Sequence, residues 1–351
     1  MTRTPNRIRV LIVDDSALAR RAISEALSAD RSIEVVGVAS DPYVAREQIL
    51  LLEPDVITLD LEMPLMDGLT FLKILQEHHP IPVVVVSALT PAGSALALAA
   101  LAAGAIDVIQ KPDGTLSARE VVRRLSTQIK AAARSRRVSA VLAAPAARTV
   151  AGPLSREYSS QSIILIGAST GGVEALRYLL PQLPDRLPPI VVVQHIPANF
   201  SRIMAEHLNL LTPYKVREAV DGDVLRPGLC LIAPGDFHTV LVKRAVGYAV
   251  RVTRSPPVNH CRPSVDVLFR SGAEVAGAHA VATILTGMGS DGARGLQLLR
   301  AAGARTLAEA EESCVVFGMP QAAIALGAAE RVVPLQKMPR AILDALAKDI
   351  E

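Results

Sequence analysis

The sequence contains no tryptophan, only five tyrosines and five phenylalanines, and a formal net charge of just +3. Proteins that bind single-stranded nucleic acid stack bases on aromatic rings, and duplex binders carry a strong basic excess, so a nucleic-acid partner is excluded on both counts. Cysteine is scarce. Cys230, Cys261 and Cys314 lie far apart and form neither a C-x-x-C pair nor an even framework, which fits packing residues in a reducing compartment. None of the seven histidines makes a metal-ligand spacing, and no zinc site is indicated. Long hydrophobic runs are missing too. The longest, Ala92 to Ile106, is too short and too rich in alanine to span a bilayer, and the N-terminal apolar run is cut by Asp14-Asp15 before it can form a signal sequence. The expectation is a soluble, cytoplasmic protein with no direct membrane insertion.

What is abundant is apolar residue, half of a 351-residue chain, enough for two cores. In the N-terminal part, strand-like runs at Ile8 to Val13, Ile33 to Val38, Asp55 to Leu59, Pro82 to Val86 and Ala105 to Ile109 alternate with helical patterns. That alternation predicts a parallel sheet, in which ligands collect outside the carboxyl ends of the strands. At those ends stand Asp14 and Asp15, then Asp60, then Ser87, then Lys111. Clustered carboxylates repel one another unless a hard cation lies among them, and an oxygen-only set suits Mg²⁺. A carboxylate beside such an ion can attack phosphorus, with the lysine balancing the added charge.

These motifs, IRVLIVDDSALAR, TLDLEMPLMDGL, VVVVSAL and DVIQKP, resemble a response-regulator receiver domain over about residues 7 to 130. The resemblance implies a flavodoxin-like fold with Asp60 as phosphoacceptor, Asp14, Asp15 and Asp60 as Mg²⁺ ligands, Ser87 and Lys111 as phosphoryl-sensing residues, and a histidine kinase as phosphodonor. It departs from many receivers at Val108, where an aromatic switch residue commonly stands. A helical pattern from Ala118 to about Arg137 closes this part. Residues 138 to 160 then mix Ala, Pro, Gly, Ser and Arg without a sustained apolar period, as a linker does. The expected organisation is 1–137, linker 138–160, and a second α/β domain over 161–351.

The second domain opens on a strand, Ser162 to Ile166, that runs into Gly167-Ala168-Ser169-Thr170-Gly171-Gly172 and then a helical pattern. Ser169 or Thr170 at such a turn is a helix N-cap, part of a dinucleotide loop, or a nucleophile beside an oxyanion site. The dinucleotide reading fits poorly, because the glycines miss G-x-G-x-x-G and the next strand ends in Gln194-His195 rather than an acid. That next strand supplies a histidine. A third, Ala280 to Leu285, runs into TGMGSDG and supplies Asp291. Nucleophile, base and orienting acid at three strand ends are what acyl transfer needs.

IGASTGG, VVVQHIP, DGDVLRPG, APGDFH, RPSVDVLF, ILTGMGSDGARGL and VVFGMPQAA resemble the catalytic domain of chemotaxis-type protein-glutamate methylesterases, over roughly residues 161 to 346. The resemblance implies Ser169 as nucleophile, His195 as base, Asp291 as its acid, and the backbone N–H groups of Thr170 and Met288 as the oxyanion hole. It implies a phosphorylation-activated monomer that demethylates glutamate γ-methyl esters, and deamidates glutamines, on methylated chemoreceptors, with no cofactor for the esterase step. Two rival readings remain: the same chemistry in a non-chemotactic pathway, and a non-catalytic adaptor gated by the receiver. Asp221, Asp223, Asp236 and Arg262 either shape loops or touch the receptor.

Overall fold

A computed structural model describes residues 7–87, 96–97, 99–101, 103–111, 125–134, 158–159, 161–198 and 200–347. The chain divides into two compact units, Met1–Ser139 and Ala140–Glu351. Nearly all of the expected linker lies outside the described residues, as does the start of the helix expected from Ala118, of which residues 125–134 are described and helical. Among the described residues no helix is long and apolar enough to cross a membrane.

The first unit holds a five-stranded sheet of β1 (Ile8–Val13), β2 (Ile33–Ala39), β3 (Val56–Leu59), β4 (Val83–Ser87) and β5 (Asp107–Gln110), in the order β2-β1-β3-β4-β5. Every pairing is parallel. Val10, Leu11, Ile12, Ile57 and Val84 are fully buried, as continuous apolar strands covered on both faces require. The helix Ala17–Ser28 takes Ser16 as its N-cap, which leaves the Asp14 carboxylate for other work. Gly68 opens the helix Gly68–His78 against the back of β3, where a Cβ would fall 2.0 Å from the Asp60 carbonyl oxygen.

The second unit is built on a seven-stranded sheet. Its strands are β6 (Ile163–Ala168), β7 (Ile190–Gln194), β8 (Lys215–Glu218), β9 (Leu229–Ile232), β12 (Ala280–Ile284), β13 (Arg305–Glu309) and β14 (Arg331–Val333), ordered β14-β13-β12-β6-β7-β9-β8 and parallel throughout. An antiparallel hairpin of β10 (His238–Lys243) and β11 (Tyr248–Thr253) adds a feature that the expectation of parallel sheets did not include. The chain starts at β6, builds outward through β7, and returns to β12 on the other side of β6. The strand order therefore reverses between β6 and β12, the kind of switch point at which open α/β sheets bind ligands. Leu165, Val191, Val265, Phe269 and Leu296 pack one core here, which fixes the helix Val265–Val275 against the sheet.

Candidate functional site

In the first unit, Asp14, Asp15 and Asp60 each offer a carboxylate oxygen within 4.8 Å of the others. Asp14 and Asp60 are buried and Asp15 is exposed. Lys111 Nζ lies 2.8 Å from Asp14 Oδ2 and 2.6 Å from Asp60 Oδ2, while its backbone N–H donates to the Ser87 carbonyl at 2.9 Å. Burial raises the Asp60 carboxyl pKa against the pull of Lys111. Burial also works against the Lys111 charge, but the hydrogen bonds to Asp14 and Asp60 outweigh it and the ammonium is held on. Three carboxylates against one lysine leave a surplus of negative charge in a pocket made of oxygen donors. Those residues fit a hard divalent cation, which they would hold beside the Asp60 carboxylate.

In the second unit, β12, β6 and β7 are consecutive neighbours, so the residues after them meet at one edge. Ser169 is half-buried in the turn after β6. Its N–H donates to the Thr286 carbonyl at 3.0 Å, and its own carbonyl accepts from Gln194 Nε2 at 2.8 Å and Gly172 N at 2.7 Å. The helix that follows is capped by Gly171 at φ 77° with no side-chain cap bond, so neither Ser169 nor Thr170 serves as an N-cap. The Ser169 hydroxyl is committed to no partner among the described residues.

His195 follows β7, anchored by its N–H to the Ala168 carbonyl at 3.0 Å. Its Nε2 is 2.8 Å from Asp291 Oδ2. Since Asp291 takes Nε2, Nδ1 is the nitrogen left to act as a base. No hydrogen bond joins it to Ser169; its nearest recorded partner is Cys261 Sγ at 3.7 Å. Burial disfavours the imidazolium, but the hydrogen bond to Asp291 and the contact with Cys261 prevail and raise the pKa to about 9. Apo geometry of this kind commonly tightens only around substrate.

Asp291 is held at the start of the helix Val265–Val275. It accepts from Val265 N at 2.6 Å, Ser264 Oγ at 2.7 Å and Asn259 Nδ2 at 2.8 Å, besides His195. Burial alone would protonate it; the bonds from His195, Asn259 and Ser264 instead depress its pKa. Asn259 stands at φ 52°, in the left-handed region that asparagine tolerates better than most residues, and its amide also reaches Asp266 Oδ2 at 2.7 Å. It thus bridges two buried carboxylates.

The loop after β12 passes hard against the turn that holds Ser169: a Cβ on Gly287 would lie 2.6 Å from Ser169 Cβ and 2.4 Å from Met319 Sδ. Thr286 Oγ1 donates to the Thr170 carbonyl at 3.0 Å, and Thr286 N donates to the fully buried Glu309 at 2.8 Å. Burial pushes the Glu309 carboxyl up to about 7. Beyond this anchor the Met288 N–H has no acceptor among the described residues, as an oxyanion donor awaiting substrate would.

Sequence reasoning places Ser169, His195 and Asp291 at adjacent strand ends but misses the residues that support them. Ser264 and Asp266 fall inside the RPSVDVLF run without a role, and Asn259 carries no signal that spacing could detect. Cys261 is a correction: Cys230 and Cys314 are buried packing residues, whereas Cys261 is half-exposed beside His195. Asp223 pairs with Arg217 at 2.6 Å, Asp236 with Arg254 and Arg262, and Asp221 accepts from Val252 N, so these acids tie loops together.

A family profile described as CheB methylesterase matches residues 164–342, and one described as response regulator receiver domain matches residues 10–123. A protein-glutamate methylesterase/protein-glutamine glutaminase of Syntrophus aciditrophicus is 48% identical over 336 residues, covering 95% of this chain and 97% of that one. Another, of Anaeromyxobacter dehalogenans, is 50% identical over 341 residues, covering 97% and 96%. The crystal structure of the Thermotoga maritima CheB methylesterase catalytic domain is similar at 40% identity and a TM-score of 0.51, covering 52% of this chain and 97% of that one.

Proposed function

The chain belongs to the CheB methylesterase family, in its form with a receiver domain, and on that premise we propose that it hydrolyses glutamate γ-methyl esters on methylated chemoreceptors in the cytoplasm through Ser169, His195 and Asp291. Residues 1–137 form the receiver, 138–160 the linker and 161–351 the catalytic domain. The observation that carries the catalytic reading is the 2.8 Å contact of His195 Nε2 with an Asp291 that is itself fixed by four further donors. An aspartate that only accepts at Nε2 keeps the proton there and leaves the Nδ1 lone pair for Ser169.

Ser169 Oγ attacks the ester carbonyl as Nδ1 takes its proton, and the oxyanion that forms is met by the backbone N–H groups of Met288 and Thr170. Collapse expels the methoxy group, which takes the proton from Nδ1 and leaves as methanol. Water, deprotonated by the same nitrogen, then cleaves the acyl-serine ester to give glutamate. Glutamine enters the same sequence with ammonia as the leaving group. Asp291 stays ionised and stabilises the imidazolium in each proton transfer.

In the receiver, Asp60 accepts the phosphoryl group from a histidine kinase, with Ser87 and Lys111 sensing it. Asp14, Asp15 and Asp60 would hold the Mg²⁺ ion, which when bound would supply charge neutralisation for that transfer. The unphosphorylated receiver restrains the esterase, and phosphorylation releases it. The test of the activity is methanol release from a methylated receptor by the purified full-length chain, before and after a small phosphodonor is added. Release that rises on phosphorylation is expected; a chain that yields no methanol in either state refutes the assignment.

A further inference from the structure

Cys261 is placed for more than packing. Its Sγ lies 3.7 Å from His195 Nδ1, and a ligand atom from each of His195, Cys261 and Asp291 lies within 4.8 Å of the others. In a tetrahedral zinc site the metal stands about 2.1 Å from an imidazole nitrogen and about 2.3 Å from a thiolate, which sets the nitrogen–sulfur edge at about 3.6 Å. The His195–Cys261 pair already matches that edge. On the other side of the ring, Nε2 is bonded to a carboxylate, the arrangement by which proteins orient a metal-bound histidine and raise its basicity. The three residues are far apart in sequence, which is why no ligand spacing reveals them.

We propose that His195 Nδ1 and Cys261 Sγ form a reversible inhibitory site for a thiophilic divalent cation such as Zn²⁺, supported from behind by Asp291. Binding releases the Cys261 thiol proton and, below about pH 9, the Nδ1 proton to solvent and engages the Nδ1 lone pair, while water fills the remaining positions. That lone pair is the one Ser169 needs, so metal binding and ester hydrolysis exclude each other. The receiver's all-oxygen pocket selects a hard ion, whereas a nitrogen–sulfur pair selects a soft or borderline one, and the two sites are separable by metal. The inhibitory consequence rests on the reading of His195 as the base; metal binding at the pair does not.

The experiment uses full-length protein with Mg²⁺ in excess to occupy the receiver. Zn²⁺ is titrated into the methanol-release assay, each variant being normalised to its own zinc-free rate. Wild type loses activity in a manner reversed by a chelator, and Cys261→Ala needs at least about tenfold more zinc for half-inhibition. Cobalt(II) added in place of zinc gives the wild type a thiolate-to-cobalt charge-transfer band that Cys261→Ala lacks; the other two cysteines are buried and do not compete. Equal zinc sensitivity in Cys261→Ala, or a wild type without the thiolate band, overturns the proposal. A band without inhibition overturns its inhibitory part and counts against His195 as the base, which separates the two failures.

Discussion

Replacing Asp291 by asparagine tests the electrostatics of the site at the atom where they are concentrated. Asp291 Oδ2 accepts from both His195 Nε2 and Val265 N, and Oδ1 from Ser264 Oγ and Asn259 Nδ2. The Val265 amide donates at 2.6 Å and the Asp266 amide to the other oxygen at only 3.4 Å, so the asparagine places its oxygen at Val265 and its NH₂ toward Ser264 and Asn259. Ser264 can turn to accept. Asn259 cannot flip without losing Asp266. The histidine therefore keeps its tautomer but loses the negative charge that favours the imidazolium. The rise of the His195 pKa from 6.5 to about 9 corresponds to roughly 3 kcal/mol of preference for the charged ring. Removing the Asp291 share of it, Cys261 supplying the rest, slows methanol release by up to roughly a hundredfold on the plateau above about pH 9, where the ring is neutral in both proteins. This is well short of the roughly 10⁴-fold loss that follows when the wrong tautomer is imposed. The sign of the pH effect follows too. The base works only when neutral, so wild-type kcat/KM rises with pH toward about 9. In Asp291→Asn the rise moves down toward the ordinary histidine value. A pH–rate series on methylated receptor, corrected for uncatalysed ester hydrolysis, reads both. A variant within threefold of wild type on the high-pH plateau, or one whose profile does not move, refutes the reasoning.

Asn259→Ala removes the shared donor between Asp266 and Asp291, a hydrogen bond to charge worth about 1.5–3 kcal/mol, and is expected to lower kcat more than KM by at least several-fold; unchanged kcat counts against its positioning role. Asp60→Asn is expected to abolish Mg²⁺-dependent labelling by acetyl phosphate, since an amide cannot act as the attacking carboxylate, and undiminished label contradicts the phosphoacceptor assignment. A fragment beginning near Tyr158 is expected to outpace unphosphorylated full-length protein by about 5- to 150-fold, the range of an allosteric coupling of about 1–3 kcal/mol. A fragment no faster than the resting enzyme excludes restraint by the receiver.

Much of this fold is legible in the sequence because buried parallel strands announce themselves. The runs at Ile8, Ile33, Asp55, Pro82 and Ala105 each become a strand within a residue or two, and chemistry-bearing residues follow from asking what stands at each carboxyl end. The placement of Ser169, His195 and Asp291 at adjacent strand ends is readable for the same reason. What sequence does not yield is the support beneath them. Asn259 and Cys261 come from an irregular loop without periodicity, and meet Asp291 and His195 across 32 and 66 residues of chain respectively. Glu309 looks like the ordinary end of a strand, and only its complete burial under Thr286 marks it as the anchor of the loop after β12. Spacing rules address neighbours along the chain, whereas these contacts join residues brought together by the strand order, β13 and β12 beside β6 and β7, and by the loop after β11.

The central claim, that Ser169 is the nucleophile served by His195, is tested most directly by measuring methanol release for Ser169→Ala and Cys261→Ala side by side on one methylated receptor. Ser169 follows the strand beside that of His195, and Cys261 Sγ lies 3.7 Å from His195 Nδ1. Ser169→Ala, folded as judged by circular dichroism, is expected to lose several orders of magnitude in rate, while Cys261→Ala keeps the greater part of it. Near-normal turnover by Ser169→Ala together with an inactive Cys261→Ala would contradict the account and make the thiol the nucleophile.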